Sequence, residues 1–279
     1  MCRAWRLTGG VSAEVHALEL EDPEGRRQTV VVRQIGAAQW KSAHAHPAAM
    51  EHDLLKHLHH IGVPVPQPLL FDPTGKLLPR PFLVSAFVEG STGVAVEDQD
   101  TCIDTMAATL AHLHTLPVGG LPELPQRTDP LPELFDYLPD IPQWRPLREH
   151  LFRWMDSAYE GPPSLLHGDF WPGNLLWQRG HITAILDWED AALGDPLSDV
   201  AACRLELSYR YEKAAVDRFT RAYARTRPLD TRRLALWTVY VASAASHFMG
   251  EWGLDTSIEA GMRSKAIAAI EDAARTLLA

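Results

Sequence analysis

The segment 165–202 holds the residues best placed to do chemistry: His167-Gly168-Asp169, then Asn174, then Asp187. Asp169 and Asn174 are separated by the spacing of a phosphoryl-transfer catalytic loop. There the aspartate accepts the proton of an attacking hydroxyl and the asparagine helps to hold Mg²⁺. Asp187 adds a carboxylate, so an amide and an acid together offer the hard oxygen donors that Mg²⁺ takes beside phosphate and water. Without a cation the same acids would repel a triphosphate. Singly, each residue has a plain structural explanation: a turn or cap for Asp169, a turn after Pro172-Gly173 for Asn174, a strand-end cap for Asp187. Only the three in order point to chemistry.

The local pattern explains how these side chains could meet. Leu175-Leu176-Trp177 reads as a strand, Gln178-Arg179-Gly180-His181 as a turn, and residues 182–186 as the returning strand. Trp177 is then expected near Ile182 and Asn174 opposite Ile185. Asp187 would lie two residues beyond, about 7 Å along at about 3.3 Å per residue. Asp195, before Pro196, reads as an N-cap ahead of a proline at the first helical position, and Asp199 also reads as structural. Trp171 follows Asp169 closely enough to border an acceptor pocket, whereas the other tryptophans of the second half read as packing.

A second group lies in the first third of the chain. Glu51 precedes Leu54, Leu55 and Leu58 by three, four and seven residues, on the apolar face of a helix read over Pro47–His60. A buried carboxylate is costly unless paired. Arg33, ending the run Val30-Val31-Val32, is the candidate partner, and such an ion pair holds a cation on nucleotide phosphates. The alternative is a peripheral glutamate that reaches water. Gly9-Gly10-Val11-Ser12, ahead of a strand, could let backbone N–H groups approach phosphate, although a plain turn is the simpler reading.

These groups need a frame. Residues 15–20 and 29–35, joined by Asp22-Pro23-Glu24-Gly25, read as a hairpin. Residues 82–88 form a further apolar strand, and Glu89-Gly90-Ser91-Thr92-Gly93 suggests a boundary there. From Thr101 the pattern turns helical, with Met106, Leu110 and Leu113 on one face. A Pro-rich stretch, 117–146, reads as irregular with short helices, and the Ala-rich tail, 234–279, as helix. The expectation is an α+β chain in two regions: 1–88, an antiparallel sheet with one helix, and 89–279, larger and mostly helical.

Composition narrows the partners. The 279 residues carry 26 Lys and Arg against 36 Asp and Glu, a formal charge of −10. That sign disfavours a phosphate backbone and is compatible with a neutral or cationic small molecule, so no nucleic acid is expected as a partner. Cys2, Cys102 and Cys203 lie far apart, which fits reduced thiols in the cytoplasm. The N-terminus lacks the apolar stretch of a signal peptide. The longest uncharged run, 234–250, holds Thr, Ser and His and reads as a buried helix rather than a membrane span, so no membrane partner is expected.

Together these residues resemble the aminoglycoside phosphotransferase family, small-molecule kinases with a bilobal protein-kinase-like fold. The resemblance covers most of the chain. It rests on Glu51 with Gly62-Val63-Pro64-Val65-Pro66, on Phe82-Leu83-Val84 leading to Glu89-Gly90, and on Leu110-Ala111-His112-Leu113-His114. Its strongest part is His167-Gly168-Asp169 through Asn174 to Asp187-Trp188-Glu189, ending in the highly specific Gly194-Asp195-Pro196. The resemblance implies Mg²⁺-dependent transfer of the γ-phosphate of ATP or GTP to a hydroxyl of a small molecule. Asp169 would be the catalytic base, with Asn174 and Asp187 as Mg²⁺ ligands. Arg33, paired with Glu51, would contact the nucleotide phosphates, and Gly9, Gly10 and Ser12 would cover them. Residues 85–88, including Phe87 and Val88, would read the purine through backbone groups.

Arg33 departs from the lysine usual in kinases at this position, and a guanidinium is a wider fork than a point-charge ammonium. That motivates an alternative: a catalytically weak nucleotide-binding module acting as a binding or regulatory protein. The 13 histidines, among them His44, His46, His52, His57, His59, His60, His112 and His114, motivate a metal hydrolase. No pair of them stands in an HExxH pattern with a clear third ligand.

Overall fold

A computed structural model of the chain describes residues 1–7, 13–36, 47–93, 98–131, 133–154 and 157–279. Gly9, Gly10 and Ser12 fall outside the described residues. In chain order the strands are β1 (Arg3–Arg6), β2 (Ala13–Glu21), β3 (Arg27–Ile35), β4 (Pro68–Asp72), β5 (Phe82–Ala86), β6 (Ser91–Thr92), β7 (Gln126–Arg127), β8 (Ser164–Leu166), β9 (Leu175–Gln178), β10 (His181–Ile185) and β11 (Ala192–Gly194). The helices are α1 (Pro47–His60), α2 (Gln99–Leu113), α3 (Leu134–Tyr137), α4 (Arg145–Arg153), α5 (Pro196–Arg210), α6 (Lys213–Ala224), α7 (Thr231–Phe248) and α8 (Thr256–Leu278). The architecture is α+β, a sheet-rich N-terminal region followed by a largely helical remainder.

The described residues form two compact units. The first comprises Met1–Gly93, Gly119–Leu124 and Gly173–Glu189. Its main sheet has the order β1-β2-β3-β5-β4 with antiparallel neighbours throughout. β3 is central and β-branched, from Thr29 through Val32, which suits a pleated surface flanked on both sides. The β2–β3 turn is closed by Asp22, whose carboxylate accepts from the backbone N–H groups of Glu24 and Arg26 at 3.0 and 2.8 Å. α1 starts on Pro47 and buries Glu51, Leu54, Leu55 and Leu58 along one face.

The same unit holds a small sheet, β10-β9-β6. Arg179 and Gly180 both have positive φ, 51° and 78°, so β9 and β10 are joined by the tight two-residue turn that matches strand twist. Trp177 pairs with Ile182, as the sequence suggests, but a bulge between Ile182 and Ala184 then shifts the register. Ile185 faces Leu175 rather than Asn174. The Thr183 hydroxyl donates to the carbonyl oxygens of Glu89 and Leu176 at the bulge, at 3.0 and 3.3 Å. Asn174 instead accepts at its backbone oxygen from Leu186 N–H at 2.8 Å.

The second unit comprises Val94–Val118, Pro125–Pro172 and Asp190–Ala279. Its three-stranded sheet has the order β7-β11-β8. An apolar core joins α3, α4, α5, α7 and α8 through Leu134, Leu147, Leu205, Leu236, Val239 and Ile270. The uncharged run at 234–250 becomes most of α7, with Leu236, Trp237, Val239 and Ala242 fully buried. Among the described residues no helix is long and apolar enough to cross a membrane. Asp195 caps α5, accepting from Leu197 N–H at 3.0 Å through Oδ1. Its Oδ2 also accepts from Arg233 Nε and from the Trp237 indole N–H, tying the start of α5 to α7.

Candidate active site

In the first unit, Arg33, Glu51 and Asp187 come together, and Glu189 joins them. Arg33 Nη1 donates to Glu51 Oε2, while Nη2 donates to Asp187 Oδ1 at 2.8 Å and to Glu189 Oε2 at 2.6 Å. Three elements supply the parts: β3 the guanidinium, α1 the buried glutamate, and the chain leaving β10 the other two acids. Glu51 is only 3% exposed. Burial pushes its carboxyl up, against the pull of Arg33 and a hydrogen bond from the Trp188 backbone. Burial also works against the charged guanidinium, but the carboxylates of Glu51, Asp187 and Glu189 outweigh it and hold Arg33 firmly protonated.

The chain leaving β10 is bent to deliver these acids. Asp187 has φ 63°, in the left-handed region that aspartate tolerates better than most residues. Trp188 is fully buried and its indole N–H donates to Ile185 O at 3.1 Å, anchoring the bend. Asn174 closes a short 3-10 turn immediately before β9 and is nine-tenths buried. Phe87 and Val88 follow β5 and are half-buried. The N–H of Phe87 donates to Thr29 O at 3.2 Å, so that donor is committed to the sheet.

Asp169 belongs to the second unit, where a separate network holds its loop. The Trp171 indole N–H donates to Asp169 Oδ2 at 3.1 Å, and the Asp169 backbone N–H donates to His167 Nδ1 at 3.2 Å. Gly168 has φ 86°, and a Cβ there would overlap the backbone carbonyl of Asp190, so only glycine fits. Beneath the loop lies Asp199, fully buried. Its Oδ2 accepts from the His167 backbone N–H at 2.7 Å and its Oδ1 from the Gly168 N–H at 3.0 Å. His114 Nε2 lies 3.2 Å from Asp199 Oδ2, and His114 Nδ1 lies 2.7 Å from the Tyr223 hydroxyl. Burial pushes the Asp199 carboxyl up, but these hydrogen bonds and the nearby histidines hold it below its ordinary value.

Asp199 is thus more than the helix-start acid that its position suggests. It fixes the backbone of His167-Gly168. The sequence offered Asp199 only as a structural acid, and His114 only among the histidines of a metal-hydrolase reading and within the Leu110–His114 part of the family resemblance. Glu189 was likewise visible only as part of Asp187-Trp188-Glu189. Among the described residues, no group of three His, Cys, Asp or Glu side chains is arranged to hold a metal ion. An Mg²⁺ site of the kind expected here needs only one or two protein oxygens beside phosphate and water. The carboxylate of Asp187 and the amide of Asn174 are of that chemical type.

Residues 6–237 match the family model of the phosphotransferase enzyme family. Among curated proteins, the chain is 26% identical over 215 residues to acyl-CoA dehydrogenase family member 10 of Mus musculus, a match covering 69% of this chain and 19% of that protein. The chain spans about a fifth of the length of the curated relatives it matches first. Among solved structures, a candidate aminoglycoside phosphotransferase of Ralstonia eutropha JMP134 superposes with a TM-score of 0.71 at 17% identity. That match covers 99% of this chain and 92% of the other. Amicoumacin kinase hAmiN, in complex with AMP-PNP, Ca²⁺ and Ami, gives a TM-score of 0.64 at 17% identity, covering 96% and 88%. At these identities the likeness is one of fold, that of the protein-kinase-like phosphotransferases.

Proposed function

The chain belongs to the phosphotransferase enzyme family, and on that premise we propose that it transfers the γ-phosphate of ATP or GTP to a hydroxyl of a small molecule. The observation that carries this reading is the convergence of Arg33, Glu51 and Asp187. A strand cation pinned by a helix glutamate and shared with a hairpin-end aspartate is what phosphoryl transfer uses to hold nucleotide phosphates. In this reading the region 1–88 binds the nucleotide, with Phe87 and Val88 beside the purine and Gly9, Gly10 and Ser12 over the phosphates. The region 89–279 carries the base and the acceptor.

Asp187 and Asn174 would hold Mg²⁺, which supplies charge neutralisation for the triphosphate. Arg33 binds phosphate oxygens and orients them. Asp169 accepts the acceptor's hydroxyl proton as that oxygen forms its bond to the γ-phosphorus and the bond to the bridging oxygen breaks, releasing the nucleoside diphosphate. Asp199 acts through the loop backbone, fixing where Asp169 stands. A cytoplasmic location belongs to the same reading, supported by three free cysteines.

The test is Asp169→Asn assayed for nucleoside diphosphate release with MgATP and MgGTP against a panel of hydroxylated metabolites and antibiotics. Turnover should fall by roughly 10²- to 10⁴-fold with the folded state retained, the range a positioned general base supplies. Wild-type turnover in this variant would exclude Asp169 as the base. The three-carboxylate hold on Arg33 also suits a second reading, a nucleotide-binding module with little catalysis. Calorimetric binding of MgATP with no diphosphate released across the panel would favour it.

A further inference from the structure

We propose that Arg210, stacked on Trp171, is an oxyanion-binding residue: its guanidinium edge takes two oxygens of a carboxylate or phosphate group beside Asp169. The proposal rests on the phosphotransferase reading for its substrate and on three observations for its chemistry. First, Trp171 is bonded to the candidate base itself, through the 3.1 Å contact from its indole N–H to Asp169 Oδ2. Second, the Arg210 guanidinium lies over the same indole, 4.1 Å from the ring centroid. One aromatic ring therefore separates a cation from the base carboxylate, and cation–π stacking fixes the plane of that cation.

Third, the donors of Arg210 are unequally used. A guanidinium has five N–H donors in a rigid fork. Here Nη1 makes both described contacts, to Glu206 O at 3.1 Å and to Glu206 Oε2 at 2.5 Å. The donors on Nε and Nη2 have no partner among the described residues, and the side chain is 35% exposed. An Nε/Nη2 edge matches the paired oxygens of a carboxylate or phosphate. The positive charge of Arg210 is local, since the chain as a whole carries −10. Glu206 offsets the charge of Arg210 without occupying this edge, so recognition comes from geometry more than from net charge.

Two sources could supply such an oxyanion: an anionic group on the acceptor, or the phosphoryl group in transfer. Steady-state phosphorylation with MgATP of glycerate, glycerol and choline, which differ in charge, tells them apart. Calorimetric binding of glycerate and of inorganic phosphate gives a readout that does not need turnover. In Arg210→Gln, an acceptor-borne anion predicts a KM for glycerate raised about 10- to 100-fold, with glycerol and choline within about twofold of wild type. An oxyanion on the transferred group predicts kcat lowered by a similar factor for all three acceptors, with weaker inorganic phosphate binding.

Arg210→Lys, which keeps charge but not the fork, should restore only part of either effect. Trp171→Leu, which removes the platform, should weaken calorimetric anion binding as Arg210→Gln does, and Trp171→Phe should retain the stack and most of the anion binding; because both lose the indole N–H that Asp169 Oδ2 accepts, their turnover is not used to separate the two sources. Glu206→Gln combined with Arg210→Gln avoids stranding the half-buried Glu206 carboxylate and keeps the test valid if the single variant folds poorly. Unchanged kinetics and unchanged binding of both anions in Arg210→Gln overturn the proposal. So does wild-type protein that binds neither anion while phosphorylating neutral alcohols. Anion binding that depends on Arg210, with no phosphorylation of any alcohol, would instead sink only the phosphotransferase reading.

Discussion

Replacing Asp199 by asparagine changes almost no volume and removes one charge at a position where both carboxylate oxygens are in use. Oδ2 serves the His167 N–H and His114 Nε2, and Oδ1 serves the Gly168 N–H. Asparagine brings one carbonyl oxygen and an NH₂ group. With the oxygen toward His167, the NH₂ faces the Gly168 N–H, donor against donor. With the amide flipped, it faces two donors. The best case therefore keeps two hydrogen bonds, now uncharged, and leaves one buried backbone donor unpaired. A hydrogen bond to a charged group contributes about 1.5–3 kcal/mol, and a stranded buried donor costs about 1–3 kcal/mol. The net destabilisation should be about 3 kcal/mol, roughly a hundredfold in the folding equilibrium. The loop that bears Asp169 loses its anchor, and a shift of about 1 Å in a reacting group costs about 10²-fold in rate. Urea unfolding followed by circular dichroism, beside kcat in the diphosphate-release assay, measures both effects. A stability change below about 0.5 kcal/mol, the level of a surface substitution, together with wild-type turnover, would show that the buried aspartate does not hold the loop.

The same carboxyl predicts a pH dependence. Its folded value lies below the ordinary 3.8, so between the two values the unfolded chain binds more protons and stability rises with pH. The contribution is complete above 3.8 and is lost as pH falls through the folded value. The gap in stability between wild type and Asp199→Asn should therefore narrow on acidification below about pH 4. A gap that stays constant down to pH 2 would contradict this. Separately, Arg33→Met removes the cation that pairs with buried Glu51, which should cost about 3–5 kcal/mol. The double variant with Glu51→Leu should recover much of that loss in thermal unfolding. Failure to recover would mean that the ion pair is not the source.

The elements and the pairing of Arg33 with Glu51 were legible because their signals are local. Glu51 on the apolar face of α1, and Arg33 at the end of a β-branched run, each read as odd for its surroundings, and the two oddities match each other. The Asp169–Asn174 spacing and the Arg179-Gly180 turn are equally short-range. The register of the β9–β10 hairpin was not legible beyond Ile182, because the bulge answers to the Thr183 hydroxyl and the Glu89 carbonyl, which lie far apart in sequence. Asp199 was legible as a structural acid, but the groups it holds were not, for a related reason. Four residues past an N-cap, an acid is explained well enough by the helix dipole, and nothing nearby shows that two backbone donors from 31 and 32 residues earlier will claim it.

The arginine at position 33 gains a physical account from the same reasoning. An ammonium is a compact point charge, whereas a guanidinium spreads five donors around a plane. Arg33 sends one terminal nitrogen to the acid on α1 and the other to both acids beyond β10. Glu189 is what makes the wider fork workable. It gives Nη2 a second acceptor, so Asp187 is not the sole counterion on that side. The group that departs from the kinase pattern and the acid that flanks the expected metal ligand are therefore one arrangement. Its consequence is that Arg33 keeps Glu51 and Glu189 as counterions even if Asp187 is engaged by the Mg²⁺ it is proposed to hold, and so stays charged beside the phosphates it is proposed to bind.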